Sequence, residues 1–153
     1  MSEVARLDRL LGWSLELEPL FPVDGAAGGL DLNFAQVSGP DALIQSLTLA
    51  LVTLLGADLF NTGFGFDGVA AIAEEMDPVL KRERIRMSVI AVLKAEPRIS
   101  RIITVRFGDE AGEEPRQPSA APPSRTVGIE ALFETIDGER RAIAVGGEVV
   151  DVR

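Results

Sequence analysis

The chain has 153 residues, 46% of them hydrophobic and 25% charged, with 15 Lys and Arg against 24 Asp and Glu for a net charge of −9. That is enough chain to bury one core, with the balance of a soluble globular protein. It contains no cysteine and no histidine, which excludes disulfides, thiolate chemistry, the usual zinc sites and every nucleophile–histidine triad.

No catalytic residue, metal or cofactor is expected. The acidic surface argues against nucleic acid as a partner. No apolar run approaches the roughly 20 residues of a membrane span, so membrane insertion is not expected either. The segment from Met1 to Leu11 alternates charge with leucine and lacks the core of a signal peptide, so synthesis in the cytoplasm is the expectation.

In chain order, Val4, Leu7, Leu10 and Leu11 are spaced as a short amphipathic helix or a loosely held arm. Trp13, Leu15 and Leu17 alternate with Ser14, Glu16 and Glu18, and Leu30, Leu32 and Phe34 alternate with Asp31 and Asn33. These read as two paired strands joined through the turn-forming residues Pro19 to Gly29. Ser38-Gly39-Pro40-Asp41 opens a helix that the stripe Leu43, Leu47, Ala50, Leu51, Leu54, Leu55 carries to Gly56. The stretch Leu59 to Gly68 holds Phe60, Phe64 and Phe66 among Gly63, Gly65 and Gly68. It lacks the lysine and hydroxyl of a phosphate-binding loop; a tight connection whose aromatics plug the core or dock a neighbouring subunit fits better. A short helix, Val69 to Met76, follows.

Asp77-Pro78 is a helix start, an acid cap followed by a proline where a missing N–H costs nothing. That helix runs to about Ala95, because Pro97 disfavours helical geometry at Glu96. Beyond it Ile99, Arg101, Ile103, Val105 and Phe107 alternate with Ser100, Ile102, Thr104 and Arg106, which gives helix, sharp corner, strand. Between Lys81 and Arg106 eight bases face two acids, Glu83 and Glu96, so this unit is a basic feature on an acidic body and an acidic protein is its better partner. Glu96 and Arg98 either pair with each other or point at charges on another protein.

Gly108 to Ser124, with Pro115, Pro118, Pro122 and Pro123, reads as a linker or mobile loop. Alternation from Thr126 to Glu134, the Asp137-Gly138 turn, Arg140 to Val145, and Val149 to Val152 read as a three-strand meander. Whether it joins the main sheet stays open.

The helix carrying Gln45-Ser46-Leu47, the Leu55-Gly56 break followed by Phe60 and the Phe64-Gly65 turn, and Glu96-Pro97-Arg98-Ile99 between helix and strand together resemble the baseplate wedge family of contractile tails. That family is found in myophages, type VI secretion systems and extracellular contractile injection particles, and shares a domain with IraD-like proteins. The likeness spans Gly29 to Phe107, roughly half the chain.

It implies an α+β fold, a small antiparallel or mixed sheet with about three helices, similar to the handshake domain of the sheath; the C-terminal β meander read from the residues departs from the compact family pattern. The chain thus reads as a baseplate wedge domain over residues 1–108, with the family core at about 29–107, a Pro-rich linker or mobile loop over 109–124 and the meander extension over 125–153. The resemblance places partner contacts at Glu96, Pro97, Arg98, Arg101, Ile102, Thr104 and Arg106, and at Phe64 and Gly65. The partners it implies are other wedge subunits, the sheath protein, and tube or spike hub proteins. Six-fold baseplates imply about six copies per particle, with the finished chain residing in the assembled tail.

Two rivals remain. One is a free regulatory binding module like IraD. The other is a lysozyme, which needs two carboxylates about 5 Å or 6.5–9.5 Å apart across a sugar cleft; Glu96 beside Arg98 is pushed the wrong way for its general acid.

Overall fold

A computed structural model of the chain describes residues 3–19, 30–108 and 128–145. The fold is α+β, and the described residues form four helices with two small antiparallel sheets. The chain forms two compact units, Met1–Leu49 and Ala50–Arg153.

In the first unit, α1 (Glu3–Leu11) ends at Gly12, whose φ of +77° turns the chain out of the helix while its N–H donates to the Asp8 carbonyl at 3.0 Å. β1 (Trp13–Pro19) and β2 (Leu30–Ser38) then pair antiparallel, as their alternation requires, with Trp13 opposite Ser38 and Glu18 opposite Asp31. The register jumps between Leu15, opposite Gln36, and Glu16, opposite Asn33. Phe34 and Ala35 are therefore the extra residues of a bulge.

α2 (Gly39–Val52) follows β2 without a break and stops three residues short of the Leu55 its leucine stripe suggests. The cause is competition for the backbone. Phe66 N–H donates to the Thr53 carbonyl at 2.8 Å, Leu55 N–H to the Phe66 carbonyl at 3.2 Å and Gly56 N–H to the Phe64 carbonyl at 3.3 Å. The glycine-rich segment thus folds back on residues that would otherwise extend the helix.

The second unit contains α3 (Gly68–Glu74), α4 (Pro78–Ala95), β3 (Ile99–Phe107), β4 (Ile129–Thr135) and β5 (Arg140–Val145). Asp77 caps α4 as its position suggests, one carboxylate oxygen accepting from Val79 N–H at 2.8 Å and Leu80 N–H at 3.1 Å. Ile85, Val89, Val92 and Leu93 form the buried stripe of α4, which packs on α3 and on β3. The strand order is β3-β4-β5. β4 runs antiparallel along the whole of β3, from Phe107 opposite Ile129 to Ile99 opposite Thr135, so this hairpin joins the strand that follows the corner. The third meander strand, Val149–Val152, the connection after Pro19 and most of the Pro-rich segment lie outside the described residues.

β3 departs from strict alternation. Along β4, Ile129, Ala131, Phe133 and Thr135 are buried in turn. Residues directly opposed across two strands share a face, so the core side of β3 is Phe107, Val105, Ile102 and Ile99. Ser100 and Ile103 are the extra residues at two irregularities. Each one-residue insertion reverses the faces of what precedes it. The expected face of Ile99, Arg101, Ile103, Val105 and Phe107 is corrected accordingly: Ile102 turns to the core side, while Arg101 joins Thr104 and Arg106 on the open side.

Gly65, at φ +116°, lies so close to Leu54 that an added Cβ would stand 2.6 Å from the Leu54 carbonyl oxygen. Gly138, at φ +88° in the β4–β5 turn, has nothing within 4 Å of the same point. Gly138→Ala is expected to cost about 1–2 kcal/mol for its backbone conformation, and Gly65→Ala more, on the order of 3 kcal/mol. Urea unfolding of the two variants gives the comparison, and equal losses would show that the loop yields around the new methyl group.

Candidate functional site

Where α4 ends, Glu96 N–H donates to the Leu93 carbonyl at 3.3 Å and Ile99 N–H to the Glu96 carbonyl at 3.1 Å. The second bond closes a four-residue turn with Pro97 at its second position, where the fixed proline φ suits it. The Glu96 carboxylate then folds over the turn. Oε1 accepts the Arg98 backbone N–H at 3.1 Å and Nε–H at 2.6 Å, and Oε2 accepts Nη2–H at 2.7 Å. This is a two-pronged, charge-assisted pair, and it is largely sheltered, with Arg98 22% and Glu96 13% exposed. Of the two options open in the sequence, the chain takes the internal one.

Burial alone would raise the Glu96 carboxyl, but the Arg98 side chain, its backbone N–H and its charge outweigh that and hold it below the usual carboxylate range.

A second turn is stitched to the first. Arg98 C=O accepts from Ile136 N–H at 3.0 Å, and the Ser100 hydroxyl donates to the carbonyls of Glu134 at 3.0 Å and Thr135 at 3.2 Å. In the β4–β5 turn, Asp137 Oδ1 accepts from the Thr135 hydroxyl and from Glu139 N–H at 3.0 Å. Arg141 Nη2 stands 4.0 Å from Oδ2. Burial acts to raise the Asp137 carboxyl, yet Thr135, the Glu139 N–H and the Arg141 charge bring it below its ordinary value.

The open face of the sheet carries the remaining candidates. Arg101 pairs with Glu134 at 3.0 Å and Arg106 with Glu130 at 3.4 Å, their side chains 63% and 46% exposed. Such exposed pairs contribute little to stability and leave the cations within reach of a partner. Thr104 lies between them, opposite Leu132. The basic excess in the sequence is thus interleaved with acids in space. Arg84 binds Glu74 at 2.9 Å and Asp67 at 3.3 Å. Arg82 and Arg86 lie over the buried Phe107 ring, 4.5 and 5.3 Å from its centre.

Phe64 and Gly65 belong to a different place. Their loop is clasped to Thr53, Leu55 and Gly56, and it is tied to the middle of α4 by Asp67 N–H donating to Ser88 Oγ at 2.8 Å. Ser88 precedes Glu96 by eight residues, about 12 Å along the helix axis. The candidate residues therefore fall into two groups, a corner with its strand and a separate loop.

Sequence reasoning missed that Thr135 to Arg141 complete the corner. Asp137-Gly138 announces the turn, but no local signal says that it will lie against Arg98. Among the described residues no three acidic side chains converge as metal ligands, and no helix is long and apolar enough to cross a membrane.

No protein-family model and no curated protein matches the chain. Among solved structures it resembles a Geobacter sulfurreducens protein provisionally named a tail lysozyme, with 18% identity and a TM-score of 0.49 over 76% of this chain and 97% of the other. A likeness of that degree carries no conclusion about activity or assembly.

Glu96 and Asp137 both have folded pKa values below their unfolded ones, which lie near 4. Each contributes stability that is fully present above the unfolded value and is lost as pH falls through the folded one. Glu96→Gln should therefore lower the urea midpoint clearly at pH 7 and by progressively less as pH falls through the folded value, where the parent loses the same interaction. A gap that stays constant with pH would show that the clamp does not depend on ionised Glu96.

Proposed function

We propose that this chain is a structural subunit of a contractile-tail or injection-particle baseplate, joining the wedge core to the first sheath ring and templating sheath assembly. The observation that carries this reading is a nine-residue edge strand leaving a clamped corner. Among the described strands β3 pairs with β4 alone, and the corner from which it departs is fixed by the Glu96–Arg98 fork and by the β4–β5 turn. A rigid corner presents donors and acceptors in a set geometry, and an unpaired strand edge recruits an extended segment by main-chain hydrogen bonds.

Several features support it. The Glu96-Pro97-Arg98-Ile99 resemblance falls on this corner, and the open face offers Arg101, Thr104 and Arg106 beside the edge. Other wedge subunits would meet the corner, while the sheath would meet the strand or the hairpin behind it. Tube or spike hub proteins are further partners on this reading, and the Phe64-Gly65 loop would give a further contact. On this reading the chain makes and breaks no covalent bonds. A glycosidase needs an acid whose pKa is raised, whereas Glu96 and Asp137 move the other way. A regulatory module binding a free partner is the second reading, since an open edge serves either.

Purified chain mixed with its cognate wedge and sheath subunits gives the test. Glu96→Ala and Arg98→Ala are expected to weaken wedge binding tenfold or more, and Ile103→Lys, at a 38% exposed bulge position, to weaken sheath binding without affecting the wedge. The exchange Glu96→Arg with Arg98→Glu keeps an internal pair while moving each charge. Wedge binding that stays weak in the exchanged variant shows that the partner reads these charges. Unchanged wedge and sheath binding across all the variants would overturn the proposal.

A further inference from the structure

The outer edge of β1 is closed by a side chain. Gly12 C=O accepts from Gly39 N–H at 2.8 Å, and peptide groups alternate in direction along a strand. The even-numbered groups of β1 therefore face β2, and those of Trp13, Leu15 and Leu17 face away from it. No described strand pairs on that side.

Gln45 of α2 does. Its Oε1 accepts from Leu17 N–H at 2.9 Å, and its Nε2 donates to the Leu15 carbonyl at 2.6 Å and to Ser14 Oγ at 3.3 Å. A residue of a parallel strand lying beside Glu16 would accept from Leu17 N–H and donate to Leu15 C=O in the same way. One carboxamide therefore supplies the donor and the acceptor that one residue of an added strand would supply.

The ribbon has reason to need this. Among the described residues it is two strands wide, and two-stranded ribbons are marginal by themselves. Trp13 is 66%, Leu32 44% and Phe34 85% exposed. An open edge beside such apolar groups is a template for pairing with another chain. Natural proteins commonly cover edges with charges, prolines or whole helices; here a helix lends a single amide.

We propose that Gln45 is the seal of the β1 edge, and that without it this edge pairs with the same edge of a second copy of the chain. The inference is independent of the function proposed above, which rests on β3. A second copy is the occupant because in purified protein it is the strand donor present at high concentration, and because two β1 edges that have lost Gln45 offer each other the same Leu15 carbonyl and Leu17 N–H and the same exposed Trp13.

The experiment compares the full chain with Gln45→Met and Gln45→Lys. Methionine keeps the length and apolar stem but has neither amide donor nor acceptor. Lysine likewise cannot accept from Leu17 N–H, yet places a charge on the edge, which opposes pairing between copies. Hydrogen exchange read at the Leu17 amide should accelerate at least tenfold in both variants. Sedimentation over a concentration series should show added self-association in Gln45→Met and not in Gln45→Lys, with far-UV circular dichroism reporting the fold of each.

Unchanged exchange at Leu17 overturns the assigned bond in solution. Faster exchange without added association in Gln45→Met overturns the seal. Equal association of the two variants also overturns it, because loss of packing around position 45, and not an opened edge, would then be the cause.

Discussion

A carboxylate and a guanidinium two residues apart hold the point at which the longest helix becomes a strand. Without that fork, Pro97 would end α4 but would not decide where the chain goes next, since a proline excludes helix and leaves extended directions open. With it, Glu96 accepts three donors from Arg98, the turn closes, and β3 departs on a fixed line. The seating of β3 on α4 follows from that direction. The pair is sheltered enough for its hydrogen bonds to matter, yet not so deep that desolvation must cancel them.

On the function proposed here, stabilising and binding roles would share the residues of this corner. Charges that serve each other internally are already oriented and have already lost their side-chain entropy, so a partner that approaches them has less left to order. The paired cations Arg101 and Arg106 differ from Arg98 in this respect. They are exposed, their acids sit on the neighbouring strand, and a partner carboxylate competes with Glu134 or Glu130 at small cost.

How much was legible in the sequence depended on whether the signal was local. Asp77-Pro78 marked the start of α4, Pro97 its end, and Asp137-Gly138 the hairpin, because caps and turns are written in adjacent residues. The end of α2 was not, since Leu54 and Leu55 continue the helical stripe and only a segment ten residues further on takes their backbone groups. The bulges at Ser100 and Ile103 were hidden for another reason: Ile99, Ile102, Ile103 and Val105 are apolar on both sides of any register, so alternation could not show where it slipped. Within the candidate site, the Glu96–Arg98 pair was readable as an option. The contribution of Thr135 to Arg141 depended on pairing across the long segment between β3 and β4, and the bridging amide of Gln45 left no trace in a pattern of leucines.

The doubled irregularity in β3 also limits what can be built upon it. Nine residues of β3 are matched by seven of β4, so the surplus is taken up as coil and twist. Fibrillar stacking demands flat, identical rungs repeating without end, and a curled rail of this kind supplies only a short run of matching contacts. Such a margin can admit a single guest and then terminate, which separates a closed assembly from an endless one.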